Sequence, residues 1–130
     1  MIVVDATVVA DALGGDGEPG SVARARLVDE TMAAPHLLDL EVLSTWRKWT
    51  ATGELGHDRA IHARAALVDL PIMRVAHRVL IERCWELRGN VSPYDASYVA
   101  LAELLGVPLV TLDGRLARAP GPRCEIELIS

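Results

Sequence analysis

Along this 130-residue chain, short uninterrupted apolar runs alternate with longer stretches in which apolar residues recur every three or four positions. Residues 1–5 predict a strand that ends in a carboxylate, and 107–112, nearly uncharged and carrying Val and Thr, predict a strand covered on both faces. Residues 31–35 and 71–75 read as two more strands. Residues 124–129 alternate with a period of two, as suits an edge position. Between the strands lie helical patterns at 6–13, 21–29, 37–52, 57–68, 77–88 and 93–105. The helix at 37–52 places Leu38, Val42, Trp46 and Trp49 along one side. The last has the clearest ends: Ser92 as N-cap, Pro93 in the first position, and Gly106 as the stop. The Gly-rich stretch 14–20 reads as a loop; it lacks the G-x-x-x-x-G-K-[ST] pattern of a phosphate cradle and does not follow a strand directly.

Strands alternating with helices imply an α/β fold with a central, mostly parallel sheet and helices on both faces, joined by right-handed crossovers. Length and the absence of a linker, repeat or low-complexity segment imply one domain over residues 1–130. No apolar run approaches a membrane span and no signal peptide is evident, so the chain reads as cytoplasmic. The net charge of −5 excludes binding of nucleic acid through a bulk positive field. Cys84 and Cys124 are too few and too far apart for a disulfide framework or a zinc site, and the four histidines form no close ligand pair. Hard-metal chemistry, if present, must come from carboxylates.

In open parallel sheets, ligands bind beyond the carboxyl ends of the strands. Asp5 and Asp113 each end a strand, and Asp95 lies at the start of a helix that runs back antiparallel to them. Glu41 sits one turn into the helix that follows another strand, on an otherwise apolar stretch. Each has an ordinary reading alone: Asp95 as a cap, Asp113 as a turn former before Gly114, Asp5 as a strand end. Glu41 resists one, because an unpaired carboxylate among apolar residues costs several kcal/mol. At about 5 Å and an effective dielectric near 20, two carboxylates repel by roughly 3 kcal/mol, so four together cost on the order of 15–20 kcal/mol if all ionise. That exceeds the stability of a domain. Such a group must hold protons, spread apart or bind a cation. All-oxygen ligands suit Mg²⁺ or Mn²⁺.

These residues also carry a resemblance. Val3-Val-Asp-Ala-Thr-Val8, Leu38-Asp-Leu-Glu-Val42, Tyr94-Asp-Ala-Ser-Tyr-Val-Ala-Leu-Ala-Glu103 and Pro108-Leu-Val-Thr-Leu-Asp-Gly-Arg-Leu116 resemble the successive motifs of PIN-domain ribonucleases, specifically VapC-type toxins. The resemblance implies a three-layer α/β/α PIN-like fold and an acidic quartet of Asp5, Glu41, Asp95 and Asp113 that binds Mg²⁺ or Mn²⁺ for RNA cleavage. It implies supporting hydroxyls at Thr7 and Thr111. It also implies partners: a small VapB-type antitoxin, a homodimer, and possible larger assemblies on operator DNA through the antitoxin. Leu38, Val42, Trp46 and Trp49 are the candidate antitoxin groove, weighed against ordinary core packing. Among the arginines, Arg115, two residues from Asp113, is the better candidate for an RNA phosphate contact than Arg74, Arg78, Arg83 or Arg88. Two other readings stand beside the nuclease: a catalytically silent antitoxin-binding module, and a receiver-like phosphoacceptor domain. The second lacks the paired acids after the first strand and the late lysine that such a domain needs.

Overall fold

The computed structural model describes residues 1–129. Five strands, β1 (Ile2–Val4), β2 (Met32–Pro35), β3 (Ile72–Val75), β4 (Leu109–Thr111) and β5 (Ile126–Leu128), form one sheet in the order β3-β2-β1-β4-β5. Every pairing is parallel. β1 lies at the centre and is wholly buried, which explains its lack of any polar residue before Asp5.

Seven helices connect the strands: α1 (Ala6–Gly14), α2 (Glu18–Leu27), α3 (Leu38–Thr52), α4 (His57–Asp69), α5 (Ile81–Glu86), α6 (Pro93–Leu105) and α7 (Gly114–Arg118). The chain steps from β1 to β2 to β3 in one direction, then crosses back to β4 and β5. Right-handed crossovers therefore place α1–α4 on one face and α5–α7 on the other. In keeping with this, α1 packs on α2, α3 and α4, while α6 packs on α5 and on the floor formed by β1 and β2.

Most predicted elements are present with shorter strands. Three differences have physical causes. First, α2 starts at Glu18 rather than Ser21, because Pro19 in its first turn is pre-set for a helix rather than for the loop. Second, the single helix expected at 77–88 is a 3-10 turn over His77–Leu80 followed by the short α5. Third, α7 was not foreseen: Asp113 does not simply turn the chain but caps this helix, accepting from the Arg115 N–H at 2.9 Å.

Two local devices set the start and the lean of α3. Its N-terminus has no side-chain cap of its own. Instead Leu37 N–H donates to His77 Nε2 at 3.0 Å, so the turn after β3 satisfies one of the orphan donors and ties α3 to the strand edge. Further along, the buried Trp46 Nε1–H donates to the Ala10 carbonyl of α1 at 3.1 Å.

Candidate active site

Asp5 follows the central strand and serves as N-cap of α1, its Oδ1 accepting from Val8 N–H at 3.3 Å. Thr7 Oγ1–H donates to the same oxygen at 2.5 Å, and Thr111 Oγ1–H donates to Oδ2. Both threonines are then locked to the end of β4, for Leu112 N–H donates to Thr7 Oγ1 at 3.0 Å and Asp113 N–H to Thr111 Oγ1 at 2.9 Å. The Asp5 carboxylate is thus fixed by three donors while being only 4% exposed. A carboxylate with a cation for a neighbour would ionise easily there. Asp5 has none, so burial pushes its pKa up to about 6, the three hydrogen bonds opposing and the charge of Asp95 adding to the rise.

The other carboxylates arrive from both layers. Glu41, in the first turn of α3, accepts from the buried Tyr98 hydroxyl of α6 at 2.6 Å. Burial, then the charge of Asp95, raises its pKa, and the Tyr98 bond opposes. Asp95 lies in the first turn of α6, whose N-cap Ser92 accepts the Asp95 N–H at 3.1 Å. Burial and the charge of Asp113 hold its carboxyl above the usual range. Tyr98 itself is pushed well above an ordinary phenol, first by burial and then by Glu41, so it stays a donor.

Asp5, Thr7, Glu41, Asp95, Tyr98 and Asp113 line one cavity of about 240 Å³, joined by Ser44, Thr45 and Lys48 of α3. The structure therefore brings the four predicted carboxylates together beyond the carboxyl edge of the sheet. None of the four takes part in an ion pair among the described residues. Nor do any three His, Cys, Asp or Glu side chains among them converge closely enough to form a preformed cage for a bare ion.

Comparison with known proteins decides the family. The PIN domain model matches residues 2–122. Ribonuclease VapC1 of Mycobacterium tuberculosis is 49% identical over 98% of this chain and 96% of its own length. The chain belongs to the PIN-domain family as a VapC-type ribonuclease toxin. Ribonuclease VapC9 of the same organism is 40% identical over 99% of the chain and 98% of its own length. At the level of fold, the structure of PAE2754 from Pyrobaculum aerophilum aligns with a TM-score of 0.70 at 22% identity, over 98% of this chain and 83% of that one. The structure of VapC20 from Mycobacterium tuberculosis, described as a toxin that cleaves the sarcin-ricin loop, aligns at 0.68 and 17%, over 90% and 93%. PIN-domain ribonucleases are generally divalent-metal dependent, and VapC toxins pair with antitoxins.

On this VapC-type PIN domain the expected antitoxin groove needs correction. Leu38 and Val42 are fully buried and Trp46 is 3% exposed, packed in the core where α3 lies against α1. Only Trp49 is partly accessible. The three-and-four spacing that suggested a groove is the inward face of α3, and α1 already lies against it. Arg115 is exposed beside Asp113, where its backbone caps that carboxylate. Arg74 and Arg83 are committed elsewhere, in two-pronged pairs with Asp39 and Glu103. Arg88 lies over the Trp85 ring at 4.5 Å.

Two site residues escaped the sequence reading. One is Tyr98, whose signal is that a phenol hydroxyl needs a polar partner once its ring is buried. The other is Lys48, on the exposed part of α3. The signal for it is the same period that revealed the apolar face: Glu41, Ser44, Thr45 and Lys48 step by three and four along the flank of α3 beside that face.

Proposed function

We propose that Asp5, Glu41, Asp95 and Asp113 together hold Mg²⁺ or Mn²⁺ and that RNA phosphodiesters are hydrolysed at this site. The toxin so formed cuts cellular RNA (tRNA, rRNA or mRNA) in the cytoplasm and arrests growth until a VapB-type antitoxin covers the cavity. The observation that supports this most directly is the set of four oxygen-donor carboxylates around one cavity with no ion pair to satisfy them. Three of them hold their protons more tightly than usual, as expected where a cation is required.

The residues fit a hydrated hard ion. The donors are all oxygen and line one cavity, which suits Mg²⁺, an ion that binds through a few carboxylates and keeps several of its waters. Such an ion supplies Lewis acidity: it makes water a stronger acid and offsets charge on phosphate oxygens. The chain's own part is positioning. Thr7, Thr111 and the Val8 amide fix Asp5, Tyr98 fixes Glu41, and the helix starts of α6 and α7 carry Asp95 and Asp113. Thr7 and Thr111 thereby serve the carboxylate rather than the substrate, and Arg115 is placed to meet RNA beside Asp113.

A homodimer is supported by an apolar groove of about 490 Å³ between α5 and the start of α6. Ile81, Trp85 and Tyr94 are 55%, 65% and 61% exposed there, more apolar surface than a lone copy needs to show. Glu82 and Arg88 line the same groove, so a two-fold axis would set each copy's Arg88 against the other's Glu82. Larger assemblies on operator DNA would form through the antitoxin. No helix among the described residues is long and apolar enough to cross a membrane.

The test is cleavage of RNA by the purified chain with added Mg²⁺ or Mn²⁺, against Asp5→Asn and Asp95→Asn. Both variants should lose at least about a hundredfold in rate, and the parent should stop on chelation. Variants that cut as fast as the parent would remove the carboxylates from the mechanism.

A further inference from the structure

We propose that Lys48 binds an RNA phosphate adjacent to the one cleaved, making the chain's single lysine a substrate-binding residue of the site. This inference rests on the nuclease reading above and adds to it the means by which an acidic cavity admits a polyanion. The four carboxylates alone repel RNA, and one divalent ion offsets only half of their formal charge. Lys48 is the one basic residue that lines the cavity.

Its placement is specific. Lys48 stands two turns along α3 from Glu41, about 10 Å down the helix axis. That spacing puts Lys48 at the far end of the cavity wall from Glu41, where a flexible ammonium can meet a phosphate next to the one at the carboxylates. Ser44 and Thr45 fill the turn between, so the wall from Glu41 to Lys48 is polar throughout.

Nothing in the fold uses this cation. Ion pairs among the described residues commit Arg26, Arg59, Arg74 and Arg83, and none includes Lys48. Its side chain makes no ion pair among the described residues, and the residue is exposed. Were it a counter-ion for the quartet, it would lie within 4 Å of a carboxylate oxygen, and it does not. The residue type matters too. Twelve of the thirteen basic residues are arginine, and the one lysine is the one that lines this cavity. A lysine is a point charge on a flexible stem, a sound phosphate ligand with a weaker hold on a carboxylate.

The experiment uses Lys48→Met and Lys48→Arg in the full chain. Cleavage of a single-stranded RNA at saturating Mn²⁺ gives KM and kcat. Binding of the same RNA to an Asp95→Asn background is then followed from about 50 to 200 mM salt. Lys48→Met should raise KM about fivefold to tenfold and leave kcat within about twofold, because a remote phosphate contact adds binding in ground and transition states alike. Its log–log salt slope should be shallower by about 0.7, the value for one phosphate contact on a single strand, while Lys48→Arg keeps the parent slope. The thermal midpoint should not move, since the side chain packs on nothing; this separates lost binding from lost folding. An unchanged KM and slope in Lys48→Met overturns the proposal. So does tighter Mn²⁺ binding with RNA affinity intact, which would make Lys48 a counter-ion of the carboxylates. If the unaltered chain neither cuts nor binds RNA, the nuclease reading fails as well, and that result is seen in the parent alone.

Discussion

Asp5 shows how a single side chain can set the pH behaviour of the protein. Its carboxyl titrates at about 6 in the fold against 3.8 in an unfolded chain. The folded state therefore holds a proton that the unfolded state releases. The stability this gives is fully present below about pH 4 and is lost as pH rises through about 6, a difference of about 3 kcal/mol. In the metal-free protein, Asp5→Asn should flatten that part of the profile, and at pH 8 the variant should be the more stable of the two, by up to about 3 kcal/mol. Urea unfolding in chelator from pH 4 to 8 measures it; parallel profiles for parent and variant would refute the assignment. The lowered carboxyls of Glu30 and Glu103 slope the other way, but they are common to both proteins and cancel in the difference. At this scale the quartet was legible because each acid sits where an element begins or ends. Tyr98 was not, because one residue letter stands for both a core ring and a polar tip.

At the scale of elements, the contact between α1 and α3 decides where Glu41 stands. Gly14 closes α1, and a Cβ there would lie 2.5 Å from Trp46 Nε1. Trp46 cannot swing aside, for its ring is buried and its N–H is held by Ala10. Exchanging Gly for Ala in a helix ordinarily gains up to about 1 kcal/mol, and less at the last position. Overpacking a filled core costs about 1–3 kcal/mol, so the clash wins. Gly14→Ala should lower stability by about 1–2 kcal/mol and, by displacing α3, slow cleavage as well. A thermal midpoint equal to or above the parent's would show that α3 has room to yield. Periodicity revealed α3, α6 and the central strands because these elements are long or wholly apolar. It could not show that residues 114–118 form a helix, since five residues are too short for a period and the deciding bond is the Asp113 cap. Nor could it say what covers the apolar face of α3, because burial against a neighbouring helix and burial against a partner leave the same pattern.

For the whole molecule, strand alternation was enough to give the sheet and its parallel sense, and the carboxyl-edge rule then located the cavity. The exposed apolar groove beside α6 required coordinates, because Ile81, Trp85 and Tyr94 belong to two separate elements. If that groove joins two copies, Ile81→Glu should turn a dimer into a monomer in sedimentation while leaving the α/β spectrum intact. A parent that sediments as a monomer at micromolar concentration, or a variant that stays dimeric, would place the interface elsewhere. The order β3-β2-β1-β4-β5 has a further consequence. β1 leaves the ribosome first, yet its Asp5 finds Thr111 only when β4 slots in beside it, 106 residues later. Until nearly the whole chain has been synthesised, the carboxylates have no common place to meet. On the proposed function, a chain still lacking β4 would lack the assembled site, and an antitoxin would have to cover only chains that already contain it.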